Sequence, residues 1–181
     1  MARRLLVLVT ATSVLLGAGA EKASTASGPA GSGSPACLRG HWLASQAETS
    51  RVMHALVPVE GLEPRGRLYM LFRDGAFQYG STHLVLQNTV GPMRMTASAR
   101  FFSLAPYTAR RGLMTLGRGE TTIEYGPMSA TKGGRTYTVP GPAPRTQRIP
   151  GGSVPFQCRG ATLKVRLPRF SSLDWITLHR A

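Results

Sequence analysis

The 181-residue sequence predicts an all-β domain: an antiparallel up-and-down β-barrel with one short helix after the first strand. Three observations support this prediction. Many short segments alternate between apolar and polar residues, as half-buried strands do. Glycine-marked turns separate these segments at near-regular spacing. Two cysteines, Cys37 and Cys158, stand near the two ends of the alternating region. A β-sandwich fits the same pattern and is the architectural alternative.

The first twenty residues are predicted to be a secretory signal peptide. Arg3 and Arg4 precede an apolar run over 5–16, and Ala18-Gly19-Ala20 supplies the small-x-small pattern of a cleavage site before Glu21. The apolar run is too short to span a membrane as a helix, and no later segment approaches that length, so no transmembrane segment is expected. The mature protein is therefore expected to be secreted, either extracellular or held at the cell envelope.

Two variants of this prediction stay open. Arg3-Arg4 is compatible with a twin-arginine signal as well as with general secretion. Cys37 is a second candidate for the mature N-terminus, as a lipidated cysteine, although residues 34–36 fit that motif poorly. The lipidated form would anchor the protein to a membrane.

Residues 21–36 are predicted to be a flexible leader, and residues 37–181 a single domain. The leader consists mainly of Ala, Ser, Gly and Pro, and it has too little apolar surface to offset the entropy of ordering it. In an oxidising compartment Cys37 and Cys158 are expected to form a disulfide. Because the first and last strands of a closed barrel are neighbours, we expect this bond to join elements that are already adjacent.

The helix and the strands are predicted segment by segment. Residues 48–57 place apolar side chains at helical spacing, and Pro58 ends the helix. Asp74-Gly75 is a hairpin turn between two alternating runs. Residues 140–152, rich in Pro and Gly, are predicted to form a loop. The predicted strands are 67–73, 77–85, 93–102, 113–116, 121–125, 135–139, 154–158, 161–167 and 173–180.

Side chains on the inner face of the predicted barrel are the candidates for a ligand cavity. Phe77, Tyr79, His83 and Val85 are predicted to share one face of their strand, and the odd-numbered residues of 93–102 share a face of the next. Small barrels also fill their interior with side chains, so an open cavity and a filled core are alternatives. The candidate cavity residues are Phe77, Tyr79, Met93, Met95, Ala97 and Phe101.

The two ends of the domain resemble a known family. Gly40-His41-Trp42 is similar to the Gly-x-Trp that opens the lipocalin barrel. The chain as a whole resembles the secreted lipocalin-like proteins of high-GC Gram-positive bacteria, which begin with Cys-x-x-Gly-x-Trp and end with aromatic-x-Cys-x-Gly-x-x-Leu, a pattern that residues 156–163 match. The resemblance implies a lipocalin-like barrel, with a ligand cavity as an expectation, and it implies no reaction.

The resemblance also implies how the barrel is closed. In lipocalins the Trp plugs one end of the barrel and stacks against an Arg from the final strands. Here Trp42, two residues after Gly40, takes that place, and Arg180, or less readily Arg166, is the stacking partner. Ordinary packing of Trp42 in the core is the alternative.

The formal net charge of the chain is +14, and its distribution is uneven. No carboxylate lies between Tyr125 and Leu173. Such a field attracts polyanions, including acidic polysaccharide, cell-wall phosphate polymers and anionic lipid. Nucleic acid is not the expected partner, because arginines and aromatic residues do not interleave here as they do in single-strand binders. A solvated basic surface without a site is the alternative. The candidate polyanion residues are Lys132, Arg135, Arg145, Arg148 and Arg166.

No residue pattern typical of catalysis or metal binding is found in the sequence. The four histidines lack metal-ligand spacing, and there is no Gly-x-Ser-x-Gly motif. Glu120 and Glu124 share a strand face, as a catalytic carboxylate pair must, but two solvated glutamates explain this equally well. The protein is therefore expected not to be an enzyme, and no metal and no cofactor are expected.

The leading functional hypothesis is a monomeric binding protein that holds a small apolar or amphipathic ligand in its barrel. The alternative is an envelope-associated protein that binds an anionic cell-envelope polymer through its basic surface. A third hypothesis is an inhibitor that inserts the loop over 140–152 into an extracellular partner.

Overall fold

The computed structural model of the protein describes residues 34–166 and 173–181. The predicted signal peptide, most of the leader and part of the predicted strand 161–167 lie outside these residues. A short 3-10 turn, Pro35–Leu38, precedes strand β1 (Gly40–Ala44) and helix α1 (Gln46–Leu56). The remaining strands are β2 (Glu63–Arg73), β3 (Ala76–Val90), β4 (Met93–Arg110), β5 (Leu113–Leu116), β6 (Gly119–Lys132), β7 (Arg135–Val139), β8 (Arg145–Ile149), β9 (Gly152–Arg159), β10 (Thr162–Val165) and β11 (Ile176–Arg180). The prediction of an antiparallel all-β domain with one helix after the first strand is confirmed for the part described.

The strands close a ring. Its order is β3-β2-β1-β11-β10-β9-β5-β4, and β3 pairs again with β4. One edge of strand β4 pairs with β3, and the other edge is long enough to pair with two further strands. Residues 107–110 pair with β5 inside the ring, whereas residues 93–104 pair with β6, which in turn carries β7 and β8. Beyond the ring, the sheet therefore continues as an extension built from β3, β4, β6 and β7.

Helix α1 begins two residues earlier than predicted because Ser45 caps it. The hydroxyl oxygen of Ser45 accepts a hydrogen bond from the backbone N–H of Glu48, as an N-cap residue does. The prediction of one continuous loop over 140–152 is wrong, since Arg145–Ile149 forms β8. Its backbone pairs with Gly119–Ile123 of β6, a long-range partner that the local Pro and Gly content does not reveal.

A bulge in β3 changes which side chains face inward. Between Gly80 and Leu84 the strand has one residue more than β4 opposite it, and His83 has a positive φ of 43°. The prediction that His83 and Val85 share a face with Phe77 and Tyr79 is therefore wrong. An extra residue reverses the alternation, so Leu84 and Leu86 are buried beyond the bulge and His83 is exposed.

The core has two parts. The first fills the ring around Trp42, and the second lies between α1, the segment that follows it, and β3. The first contains Leu38, Trp42, Ala44, Val52, Leu68, Met70, Phe72, Phe77, Met114, Val154, Phe156, Leu163, Val165, Leu173, Ile176 and Leu178. The second contains Met53, Val57, Leu62, Leu84 and Leu86. Among the residues described, no helix has the length and apolar character to cross a membrane.

The predicted disulfide between Cys37 and Cys158 is present, with Cα atoms 6.3 Å apart. Its position differs from the expectation, because β10 and β11 separate β9 from β1 in the ring. Cys158 pairs in register with the fully buried Leu163, so its side chain faces inward and both cysteines pack against the first core. The bond therefore joins the 3-10 turn to a strand that is not its neighbour, across the Trp42 end of the ring.

Glu48 fastens helix α1 to the last strand. Its Oε1 accepts a hydrogen bond from the backbone N–H of Thr177 at 2.6 Å, and Arg51 donates to both carboxylate oxygens. Arg51 also donates to the backbone oxygen of Trp175. Burial alone would raise the pKa of Glu48, but the hydrogen bonds from Arg51 and Thr177 outweigh it and lower that pKa. The charged form of Glu48 is therefore the form that the fold favours.

We predict that opening the disulfide lowers the stability of the domain strongly. A crosslink with a sequence separation of 121 residues contributes about 4–5 kcal/mol in the chain-entropy model, a large share of a typical domain stability. Chemical denaturation of the oxidised protein, with and without reductant, measures this. A Cys37→Ser/Cys158→Ser variant is the control, since reductant should leave it unchanged. An unchanged midpoint for the reduced native protein would contradict the prediction.

We also predict that Glu48 contributes stability that acid removes. Because its pKa is lowered in the folded state, this stability is present above the unfolded pKa and is lost as the pH falls through the folded pKa. Glu48→Gln should cost about 1–3 kcal/mol at neutral pH and flatten the acid side of the stability profile. Unfolding titrations at several pH values measure both effects. The exposed Glu60→Gln variant serves as the control, and equal profiles for the two variants would refute the prediction.

Candidate functional site

One end of the ring is closed around Trp42. The Trp42 side chain is fully buried, and its indole N–H donates to the backbone oxygen of Leu38 at 2.7 Å. Trp42 pairs in register with Arg180, whose guanidinium carbon lies 4.5 Å from the centre of the indole ring. Arg180 also donates to the backbone oxygens of Cys37 and Arg39, both at 3.1 Å. The Trp–Arg contact that the resemblance implies is thus present, and Arg180 rather than Arg166 makes it.

Gly40 is required at this end for two reasons. Its φ is +119°, a backbone conformation that residues with a Cβ rarely adopt. A Cβ at this position would also lie 3.0 Å from Nη1 of Arg180. The glycine therefore leaves the space through which the guanidinium reaches the carbonyls of the 3-10 turn.

The interior next to Trp42 is packed with side chains. Phe77, predicted as a cavity residue, belongs instead to the core: it is 4% exposed, and its ring centre lies 5.1 Å from that of Phe72. The reason is its register, because it pairs with Phe72 on one side and with the buried Ala105 on the other. At this level the alternative of a filled core is the correct one.

Tyr79 and Phe101 mark the level at which the packing becomes looser. Their rings make an edge-to-face contact with centres 5.3 Å apart, and both residues are partly exposed although they face inward. The Oη atom of Tyr79 is buried and has no hydrogen-bond partner among the residues described. Burial raises the pKa of this phenol above its usual value, so Tyr79 stays neutral. An inward polar atom without a partner is rare in a packed core.

Beyond this level the inner face of the sheet continues as an apolar surface. Residues that pair across antiparallel strands share a face, so the pairings define rows of side chains. We name the three rows farthest from Trp42 the apolar sheet face. From the inside outward, they are Leu86–Ala97–Met128–Val139, Asn88–Met95–Ala130–Tyr137 and Val90–Met93–Lys132–Arg135, each written from β3 to β7.

Burial decreases steadily across this face. Leu86 and Asn88 on β3 are buried, Leu86 by the second core around α1. Met95 and Ala97 on β4 and their partners Ala130 and Met128 on β6 are half-buried, and Tyr137 on β7 is 63% exposed. The other side of the same strands is hydrophilic and carries Thr89, Arg94, Thr96, Ser129, Thr131, Thr136 and Thr138. The extension is therefore amphipathic, with its apolar side continuous with the interior of the ring.

The five basic residues predicted to bind a polyanion are not brought together. Lys132 and Arg135 pair across β6 and β7 at the rim of the apolar sheet face. Arg145 pairs with Ile123, so it shares the inner face, whereas Arg148 pairs with Glu120 on the opposite face. Arg166 follows β10 and lies 3.9 Å from Asp174. The strand register therefore does not bring the five residues together on one basic surface.

A concave region lies between α1 and the first residues of β2. This groove has a volume of about 500 Å³ and is wide open to solvent. Its lining residues are Gln46, Ser50, His54, Leu62, Glu63, Pro64 and Arg65. Gln46 is already engaged there, donating to the backbone oxygen of Pro64 and accepting from the backbone N–H of Gly66. Throughout the described ranges, no cluster of His, Cys, Asp and Glu side chains suited to a metal ion is found.

Several residues of the apolar sheet face escaped sequence analysis. Met128, Tyr137 and Val139 were not among the candidates, because a strand pattern does not reveal which distant strand it pairs with. The signal was present in part: Gly133-Gly134 separates two runs that alternate, as in a hairpin. Asn88 could not be identified, since it faces inward only because of the bulge in β3.

Comparison with protein-family models, with curated proteins and with solved structures finds no match to this chain. The function has to be argued from the geometry of the chain itself.

We predict that replacing Arg180 by Gln weakens the closed end of the ring. The variant loses the cation–π contact with Trp42 and the two hydrogen bonds to the 3-10 turn, at a cost of about 1–2 kcal/mol. Chemical denaturation followed by tryptophan fluorescence measures the loss. Arg159→Gln, an exposed change of the same charge, is the matched control. If both variants lose the same stability, the proposed closure by Arg180 is incorrect.

Proposed function

We propose that this protein is a lipocalin-like binding protein that holds a small apolar or amphipathic molecule at the open end of its ring. The observation that carries the proposal is the contrast between the two ends. Around Trp42 the interior is packed, whereas beyond Tyr79 and Phe101 the inward side chains of β4, β6 and β7 are mostly apolar and only partly covered. A ligand on this surface would remove apolar area from water without displacing a packed core.

The side chains at this end suit a ligand of variable shape. Met93, Met95 and Met128 are unbranched and flexible, and Ala97 and Ala130 between them leave room above the sheet. An alkyl chain lying along these residues would gain about 0.8 kcal/mol for each CH₂ group that it buries fully. This supports an aliphatic ligand more than a rigid polar one.

One polar group favours an amphipathic molecule over a purely apolar one. Arg145, exposed on β8, shares the inner face with Ile123 and with Phe101, which pairs with Ile123. A ligand whose tail lies on the apolar sheet face therefore has a cation at the level of Phe101 for its polar head.

The polyanion alternative has weaker support. Only Lys132 and Arg135 lie next to each other, and the remaining candidates are divided between two faces or lie near a carboxylate. A polyanion binds by neutralising several charges at once, and it needs them on one surface. We therefore do not propose a polymer as the ligand of this site.

Export of the protein remains part of the proposal. The Cys37–Cys158 disulfide supports an oxidising compartment, outside the cytoplasm. The signal peptide proposed for residues 1–20, with cleavage before Glu21, lies outside the described residues. No catalytic role is proposed.

We predict that an uncharged, environment-sensitive dye binds to the protein with little dependence on salt, and that Met95→Trp weakens this binding by about tenfold or more. The larger side chain fills the space above the second row of the apolar sheet face. Fluorescence titration at low and high salt measures the affinity. Thr96→Trp is the matched control, because Thr96 lies on the opposite face of the same strand. Absence of dye binding, or equal effects of the two variants, would overturn the proposal.

A further inference from the structure

Two hairpin turns lie side by side at the tip of the extension. The turn between β3 and β4 contains Gly91, and the turn between β6 and β7 contains Gly133 and Gly134, all three with positive φ. Because β4 pairs with both β3 and β6, the outermost row runs Val90–Met93–Lys132–Arg135 across four strands. The tip is thus a single surface made by two hairpins.

Large apolar side chains at this tip and behind it are open to solvent. Val90 in the outermost row is 43% exposed, and on β7 Tyr137 in the next row is 63% exposed and Val139 in the row behind that 46%. Isolated exposed apolar residues are ordinary, but these are joined across the face by the half-buried Met93, Met95 and Ala130, and such a continuous surface indicates a partner that covers it. Tyrosine in particular is suited to the boundary between water and an apolar phase.

The charges at the tip have one sign. Lys132 and Arg135 are exposed on the apolar side, and neither makes an ion pair with any residue that the structure describes. Arg94 lies on the opposite side and donates to Oε1 of Gln87 at 2.6 Å. No carboxylate is present in residues 88–97 or 127–139. The surface therefore offers apolar contact and positive charge together.

We propose that the tip of the extension docks on the surface of an anionic lipid bilayer. Val90 and Tyr137 enter the headgroup boundary, and Lys132 and Arg135 pair with the acidic headgroups beside them. Amphipathic protein surfaces bind membranes by this combination of apolar burial and attraction to anionic lipid. Lysine and arginine next to apolar residues reach headgroups with their charged ends while their stems stay in apolar surroundings.

The combination of features favours a bilayer over other occupants. A free polyanion would use the charges but leave Val90 and Tyr137 in water. A second copy of the chain would place Lys132 and Arg135 against the same charges of the other copy, which costs free energy. The inference does not depend on the proposed ligand site, since the charges of Lys132 and Arg135 are not needed to bind an uncharged dye.

The test is sedimentation of the full secreted chain with vesicles of phosphatidylcholine alone and with vesicles containing about one third phosphatidylglycerol. We expect binding only to the anionic vesicles, falling with salt. Lys132→Gln/Arg135→Gln should weaken binding by about twenty-fold, since each basic residue near such a surface contributes about fivefold. Arg110→Gln/Arg159→Gln, the same charge change at exposed positions outside the tip, is the control and should have only a small effect.

The apolar contact is tested separately. Brominated lipid in anionic vesicles should quench the tryptophan fluorescence of the Tyr137→Trp variant. It should not quench the added tryptophan of the Phe102→Trp variant, which lies on the outer face of β4. Three results would overturn the inference: equal binding to neutral and anionic vesicles, equal losses of binding for the tip double variant and its control double variant, or no quenching at position 137. So would a stable dimer in light scattering that Tyr137→Ser dissociates. Loss of vesicle binding with retained dye binding would leave the proposed function intact, and the reverse result would leave the docking surface intact.

Discussion

The long pairing of β3 with β4, interrupted by one bulge, is the interaction on which the rest of the structure depends. It closes the ring on one side, and it extends beyond the ring far enough to carry the apolar sheet face. On the other edge of β4, residues 107–110 pair with β5 and residues 93–104 pair with β6. One long strand therefore joins a packed ring to a half-exposed sheet, and the face that is buried in the first is only partly covered in the second.

The two ends of the molecule use their side chains differently. At the Trp42 end, a disulfide, a cation–π contact and three hydrogen bonds to backbone oxygens fix a short turn against the strands. Such a rigid end can support a far end that is less completely packed, because the stability of the domain does not have to come from every part of it. Methionine and alanine predominate on β4 and β6 at the open end, where a surface that adapts to a ligand is useful.

Sequence reasoning identified the features that depend on local pattern. The alternation of residues 93–102 and the helix after the first strand follow from local pattern, and both are present. The disulfide was predictable because the chain has only two cysteines. The Trp42–Arg180 contact came from a resemblance, and the geometry contains it. What could not be predicted depends on pairing between distant strands. The bulge in β3, the pairing of β8 with β6 and the sharing of β4 between β5 and β6 are set by register, and a single strand pattern does not contain its register. Register also explains why Phe77 was misassigned and Tyr137 was missed, since Phe77 pairs with Phe72 and the buried Ala105, and Tyr137 pairs with Ala130.

The central claim, that a ligand binds at the open end of the ring, can be tested at the methionine side chains. Methyl-labelled methionine and NMR spectroscopy would report on each methionine of the protein during titration with a medium-chain fatty alcohol. The account predicts shifts at Met93, Met95 and Met128, and unchanged signals at the buried residues Met53, Met70 and Met114. No shift at the first three, or the largest shift at Met70 or Met114 inside the packed ring, would contradict it.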